Sequence, residues 1–333
     1  MTLRLGWKAS AEQFGPRSLL DYAIEAERQG FDSVWVSDHY QPFSHSQGHA
    51  PFSLSWLGAL GERTSRVLMG TSVLTPTFRY HPAIVAQAFA TLAGLQPGRV
   101  ILGVGTGESM NEVPVTGIDW PDQRERFRRL SEAVKLIRTL WTQDFVEWNG
   151  EYYRVRGATL YDKPPQPVPI YVAATGPTAA KFAGRQAEGF ICTSGKGMEL
   201  YTETLLPAVR EGAEAEGRDY EHIEKTIEVK VSFDSDRRKA LEDTRFWAPL
   251  ALPAADKQDV HNPKELEERA RKVEHPESRW LVSDDPEEHV EQLRPYLDLG
   301  FTHLVFHSPA EDQSRFLQLY AKEVLPRLRE RWG

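Results

Sequence analysis

The chain has 333 residues, a formal net charge of −8 and 40% hydrophobic residues, enough apolar content for a substantial core and no compositional sign of disorder. No apolar run approaches the roughly 18–20 residues of a membrane helix, and the acidic balance argues against a nucleic-acid binder, whose footprint is basic. A single cysteine, Cys192, excludes an internal disulfide and a multi-cysteine metal site, and with no leader-like segment the expected location is cytoplasmic.

In chain order, one phrase recurs: a polar helix, a glycine, an apolar residue, then a short β-branched run that stops at reactive side chains. It reads Gln29-Gly30-Phe31-Asp32-Ser33-Val34-Trp35-Val36-Ser37-Asp38-His39, returns from Glu188-Gly189 to Ser194, and returns again from Leu299-Gly300 to Ser308. Glycine after a helix end supplies the left-handed conformation that stops it, and a continuous Val/Ile/Leu run fits a parallel strand buried on both faces. Strands are predicted over 3–8, 33–37, 67–73, 100–104, 170–173, 190–193, 226–232 and 304–307. Helical patterns lie between them at 16–29, 53–64, 82–95, 122–141, 177–186, 197–216 and 286–299, and a last helix spans 311–331. Eight strand–helix pairs at this length predict an α/β fold, a (β/α)8 TIM barrel, as one domain over 1–333.

Two segments break the rhythm and read as insertions on the barrel. Residues 143–168 hold a hairpin pattern, with 145–148 turning at Asn149-Gly150 into 152–155. Residues 235–280 are charged and Pro-punctuated, with a helix over 263–273.

Barrel enzymes carry their sites at the C-terminal strand ends, which nominates residues 8–12, 38–39, 72–75, 108–111, 175–176, 193–196 and 307–308. His39 can take a proton near neutral pH; the alternative is a loop histidine bonded for structure. Glu108 follows Gly103-Val104-Gly105-Thr106-Gly107, glycines that either admit a ligand or serve turn and packing. That run lacks the third glycine of a dinucleotide fingerprint, because Glu108 occupies its place. Thr193-Ser194-Gly195-Lys196-Gly197 joins strand to helix with hydroxyls, a lysine and a helix start, a combination suited to phosphate; a glycine turn with a solvated lysine is the plainer reading. His39, His45 and His49 lack the helical spacing and carboxylate partner of a metal site, and no metal is expected. Cys192 reads as packed core.

At these residues the chain resembles the deazaflavin-dependent glucose-6-phosphate dehydrogenases of the bacterial luciferase-like superfamily. The likeness is carried by Lys8 to Phe14, Val36 to His39, His49 to Trp56, Gly61 to Thr64, Gly70 to Tyr80, Gly103 to Glu108, Gly189 to Gly197 and Thr244 to Leu250, and runs nearly end to end. It implies a homodimer and coenzyme F420 as acceptor of a hydride from C1 of a sugar 6-phosphate, with glucose 6-phosphate becoming 6-phosphogluconolactone. It further implies that Asp38, Ser72, Val73, Thr75, Asn111, Thr175 and Gly176 contact the cofactor, with a cis peptide at Ser72-Val73. Phosphate then falls to Thr193, Lys196, Lys257 and Arg279. His39 becomes the base, and Glu108 the acid or a hydrogen-bond partner. Three positions depart from the family pattern: Phe43 stands where relatives carry Trp, Gln258 replaces a His, and Thr175 replaces the first Gly of a pair. They leave fructose 6-phosphate or mannose 6-phosphate open as substrates. A flavin monooxygenase or pterin reductase on the same barrel, or a non-catalytic cofactor carrier, are the competing readings.

Overall fold

The computed structural model describes residues 2–46, 48–257 and 260–333. Its strands are β1 (Arg4–Ala9), β2 (Ser33–Val36), β3 (Leu68–Thr71), β4 (Val100–Val104), β5 (Val146–Asn149), β6 (Arg154–Ala158), β7 (Ile170–Ala173), β8 (Gly189–Thr193), β9 (Glu224–Phe233), β10 (Leu281–Ser283) and β11 (His303–His307). Strands β1, β2, β3, β4, β7, β8, β9 and β11 pair in parallel in that order, and β11 pairs with β1 to close the barrel. All eight barrel strands fall where the sequence predicted them.

Strand alternation divides the interior into two layers. Val34, Val36, Leu102, Val172, Phe190, Leu304 and Phe306 join the large core between barrel and helices. Their neighbours of opposite parity, Trp35, Ile101, Tyr171, Ile191 and Val305, form a separate apolar plug inside the barrel. Strand β9 departs from the plug. Its outward Ile227, Val229 and Val231 are apolar, whereas its inward residues are Glu224, Thr226, Glu228 and Lys230, all well buried. The lumen is therefore charged at both ends. At the N-terminal end His303 joins Ser33 Oγ (2.6 Å) to Glu224 Oε1 (2.9 Å), and Glu224 also takes Arg4 and the Tyr171 hydroxyl.

Glycine stops act as expected at Gly30 and Gly300, with φ of +89° and +85°. Gly189 does not: it opens β8, where a Cβ would lie 2.5 Å from the Tyr171 ring.

The first insertion is the hairpin β5–β6, but its turn is wider than the sequence suggested. Asn149 pairs with Arg154 and Trp148 with Val155, because Glu132 accepts from Trp148 Nε1 and from the amides of Tyr152 and Tyr153, about 3.0 Å each, and opens the loop. The second stretch holds helices Arg237–Asp243, Ala254–Lys257 and Pro263–Ala270 and the 3-10 turns Thr244–Ala251 and Pro276–Arg279. Strand β10 then adds to the outer end of β9. The final helix is two helices, Gln313–Glu323 and Leu325–Trp332, broken where Pro326 removes an amide. No described helix is long and apolar enough to cross a membrane.

Candidate active site

The C-terminal mouth of the barrel opens into a cavity of about 970 Å³, within the usual range for small-ligand sites. Every residue nominated for a role lines it: His39, Glu108, Asp38, Ser72, Val73, Thr75, Asn111, Thr175, Gly176, Thr193, Lys196, Lys257 and Arg279. Phe43 is there too; Gln258 lies outside the described residues.

His39 follows β2 on a turn fixed from both sides. The buried Asp38 carboxylate accepts from Ser53 Oγ (2.6 Å), the Tyr80 hydroxyl (3.0 Å) and Arg79 (2.9 Å). Asn111 Oδ1 accepts from the amides of Tyr40 (2.9 Å) and Gln41 (3.1 Å). Held there, the His39 ring is mostly buried, with Nδ1 2.6 Å from Glu12 Oε1 and Nε2 3.9 Å from Glu108 Oε2. The Glu12 contact is close but lies off the ring N–H axis, so Nδ1 has no aligned hydrogen bond. Glu12 follows β1, is buried, and its carbonyl accepts from the His49 amide at 2.8 Å. Burial alone would push the His39 ring below its ordinary pKa, but the charges of Glu12 and then Glu108 outweigh it and raise the value. Conversely, burial would lift the Glu12 carboxyl, and His39 and Lys8 hold it well below the usual range. Glu108 is more than half exposed at the rim.

The wall beside His39 comes from β3, β4 and β7. The Ser72-Val73 peptide is cis, and Lys8 Nζ donates to both Ser72 O and Ser72 Oγ at 2.6 Å. The glycines before Glu108 mostly serve packing. A Cβ on Gly103 would fall 1.8 Å from Thr71 O, and one on Gly105 2.7 Å from Val73 Cγ2. Gly107, at φ +83°, needs the left-handed region as well. On β7's far end Gly176 differs: a Cβ there meets nothing within 4 Å, leaving an open slot beside Ala173, Ala174 and Thr175.

Another group of lining residues is cationic. Lys196 comes from the turn after β8, with Gly195 at φ +75° packed on Arg279. Lys257 ends a short helix of the second insertion and donates to Leu250 O at 3.4 Å. Arg279 closes the turn Pro276–Arg279, and its Nε is buried without a partner. Burial and the Arg279 charge lower the Lys196 pKa; burial, Arg279 and Lys196 lower that of Lys257. Clustered, mutually repelling cations of this kind have the chemistry to hold an anion. Phe43 sets its edge to His39, ring centroids 5.3 Å apart, and meets Trp247 at 6.2 Å. Cys192 is a buried free thiol, raised well above its ordinary pKa by burial, and so inert. Among the described residues no group of three or more His, Cys, Asp or Glu is arranged to hold a metal.

Some lining residues received no role from the sequence. Glu12 was nominated by position alone. Glu228 and Lys230 were passed over, although Ile227-Glu228-Val229-Lys230-Val231 alternates charge with β-branched residues. In a barrel whose outer face is covered by helices, such charges must point into the lumen.

A closed parallel barrel whose mouth holds a histidine between two carboxylates together with clustered cations defines an enzyme of the TIM-barrel class that acts on an anionic small molecule. The sequence profile described as luciferase-like monooxygenase matches residues 2–303. The chain is 60% identical over 98% of its length to a protein of Nakamurella multipartita named F420-dependent glucose-6-phosphate dehydrogenase, 97% of which is covered. It is 58% identical, over 98% of this chain and 99% of the other, to one of that name from Amycolatopsis mediterranei. Among solved structures, an F420-dependent secondary alcohol dehydrogenase in complex with an F420-acetone adduct superposes with a TM-score of 0.91 at 36% identity, covering 97% of this chain and 98% of that one. The coenzyme F420 dependent tetrahydromethanopterin reductase of Methanopyrus kandleri shares the fold, with a TM-score of 0.82 at 22% identity over 98% of this chain and 99% of that one. The chain belongs to the luciferase-like monooxygenase family, in the branch of the F420-dependent glucose-6-phosphate dehydrogenases.

Proposed function

We propose that the protein oxidises glucose 6-phosphate at C1 to 6-phosphogluconolactone with coenzyme F420 as acceptor. The observation that carries this reading is the division of one pocket between a histidine flanked by carboxylates and three converging cations, Lys196, Lys257 and Arg279. Relatives named for that activity match over nearly the whole chain.

When bound, the deazaflavin supplies the two-electron acceptor. The residues present fit such a group: the small side chains of Ala173 and Ala174 and the space beside Gly176 leave room for a flat ring. Ser72, Val73, Thr75, Asn111, Thr175 and Gly176 would hold it. Asp38, its carboxylate committed to Ser53, Tyr80 and Arg79, would act by fixing the turn that forms part of the same wall.

His39 takes the C1 hydroxyl proton on Nε2 while the C1 hydrogen leaves with its electron pair, so that C1–O becomes the lactone carbonyl. Glu12 faces Nδ1, which keeps a proton on that side of the ring and leaves Nε2 toward the pocket. Glu108 stands at the rim, where its carboxylate faces His39 and would serve as a hydrogen-bond partner at the cofactor end. Thr193, Lys196, Lys257 and Arg279 hold the phosphate, and binding energy gained there positions the reacting carbon.

The test compares glucose 6-phosphate with unphosphorylated glucose, fructose 6-phosphate and mannose 6-phosphate, using F420, FMN or NADP as acceptor. Turnover confined to glucose 6-phosphate with F420 is expected; equal turnover on free glucose would overturn the assignment of the cationic end. The same reading makes the protein a cytoplasmic homodimer, and sedimentation at twice the 37.8 kDa of one chain checks the second point.

A further inference from the structure

We propose that Lys230 is a fourth cation of the phosphate end, and that arrival of the substrate's dianion draws a proton from solvent onto its amine. The inference rests on the sugar-phosphate reading of this pocket and adds a residue and a proton to it.

Lys230 lies on the inward face of β9 and lines the cavity, yet its side chain is only 7% exposed. Its nearest acid is Glu228, at 3.8 Å, too long for a hydrogen bond. Glu228 is closer to others: Lys8 Nζ at 3.1 Å and His307 Nδ1 at 3.4 Å. One carboxylate therefore serves two lysines, and Lys230 is the less well matched.

The surroundings of Lys230 are otherwise cationic or neutral. Strand β11 contributes His307, its register partner, β1 contributes Lys8, and β8 contributes the buried Cys192 thiol. Arg279 and Lys196 reach it from the turns beyond. Arg279 keeps a buried Nε without a partner, and both ring nitrogens of His307 also lack hydrogen bonds. The unpartnered Arg279 donor points to an anion that completes the site.

The electrostatics give the sequence of events. Burial holds the Lys230 amine down at about 8, against the pull of Glu228 and with the help of Arg279, Lys8 and Lys196. Near that pH, without an anion, a large fraction of molecules carries Lys230 as a neutral amine. A phosphate dianion beside Arg279 and Lys196 cancels their repulsion, and the amine gains a proton taken from buffer. No bond to carbon forms or breaks. Above about pH 8 the affinity for glucose 6-phosphate then falls by a factor approaching about ten per pH unit.

The experiment is titration calorimetry of the protein with glucose 6-phosphate, and with inorganic phosphate alone, at pH 6.5 and 8.5 in two buffers of different ionisation enthalpy. Wild type is expected to take up about three-quarters of a proton per site at pH 8.5, and at pH 6.5 to show no uptake, only the proton that the phosphate itself releases on binding as the dianion. Lys230→Met should lose that uptake and bind about tenfold more weakly at pH 6.5, whereas Lys230→Arg, a permanent cation, should bind without uptake at either pH. Binding by wild type with no uptake, or undiminished uptake in the Arg variant, would overturn the role of Lys230. Failure of both glucose 6-phosphate and inorganic phosphate to bind would instead remove the sugar-phosphate reading itself.

Discussion

His39 and Glu12 meet in the pocket, and their coupling has a measurable consequence for the proposed base. A base must be neutral to accept a proton, and the carboxylates raise the His39 pKa above its ordinary 6.5. The rate at low substrate therefore rises with pH as His39 loses its proton, and this acid limb lies above 6.5. Glu12→Gln should move the limb of kcat/KM to lower pH, because the charge that raises the histidine is gone; an unmoved limb would separate Glu12 from the base. His39→Ala should cost about 10²–10⁴-fold in kcat while F420 still binds, read by fluorescence titration. Lys257→Ala should raise the KM for glucose 6-phosphate with little change in cofactor affinity, and an unchanged KM would take Lys257 out of the clamp. Strand-end position alone made His39 visible in the sequence. The part played by Glu12 was not, since a pairing between the ends of β1 and β2 depends on the twist and tilt of adjacent strands.

At the scale of elements, the two ends of β9 do different work. The upper end holds Glu228 and Lys230 in the pocket; the lower end holds Glu224 in a buried chain with His303 and Ser33. That chain has the order of a hydrolytic triad, but Ser33 and His303 are fully buried and a Cβ on the neighbouring Gly6 would fall 2.1 Å from Ser33 Oγ. It is a structural lock. Burial would raise the Glu224 carboxyl, whereas His303, Tyr171 and Arg4 hold it at about 2, below the ordinary 4.5. The stability this adds is complete above 4.5 and is lost as the pH falls toward about 2. Glu224→Gln should cost about 3 kcal/mol at neutral pH and flatten that acid limb, read by urea unfolding at several pH values. The barrel strands were legible because Val/Ile/Leu runs ending in polar residues leave few other structures available. The hairpin turn was misjudged because Asn149-Gly150 signals a two-residue turn locally, while Glu132, on a separate helix, imposes the wider loop. Pro326 was the overlooked sign of the break in the last helix.

Across the whole molecule, the second insertion is what makes a general barrel into a specific one. It carries Lys257 and Arg279 to the mouth, and it is tied to the His39 turn through Gln41 Nε2, which donates to His261 O at 3.0 Å, and through Glu267, which accepts from the amides of His45 and Ser46 at 2.8 Å. The residues proposed for phosphate recognition and for the base thus sit on linked segments, and sequence reasoning reached that convergence only through family likeness, since charge composition does not say where an excursion returns. The proposed reaction transfers the C1 hydrogen of glucose 6-phosphate to F420. The measurement that tests it most directly is the bleaching of oxidised F420 by glucose 6-phosphate carrying deuterium at C1, followed by mass analysis of the cofactor. Slowed bleaching with one deuterium recovered in reduced F420 is the predicted result. No bleaching, or bleaching with the deuterium released to water, would contradict it.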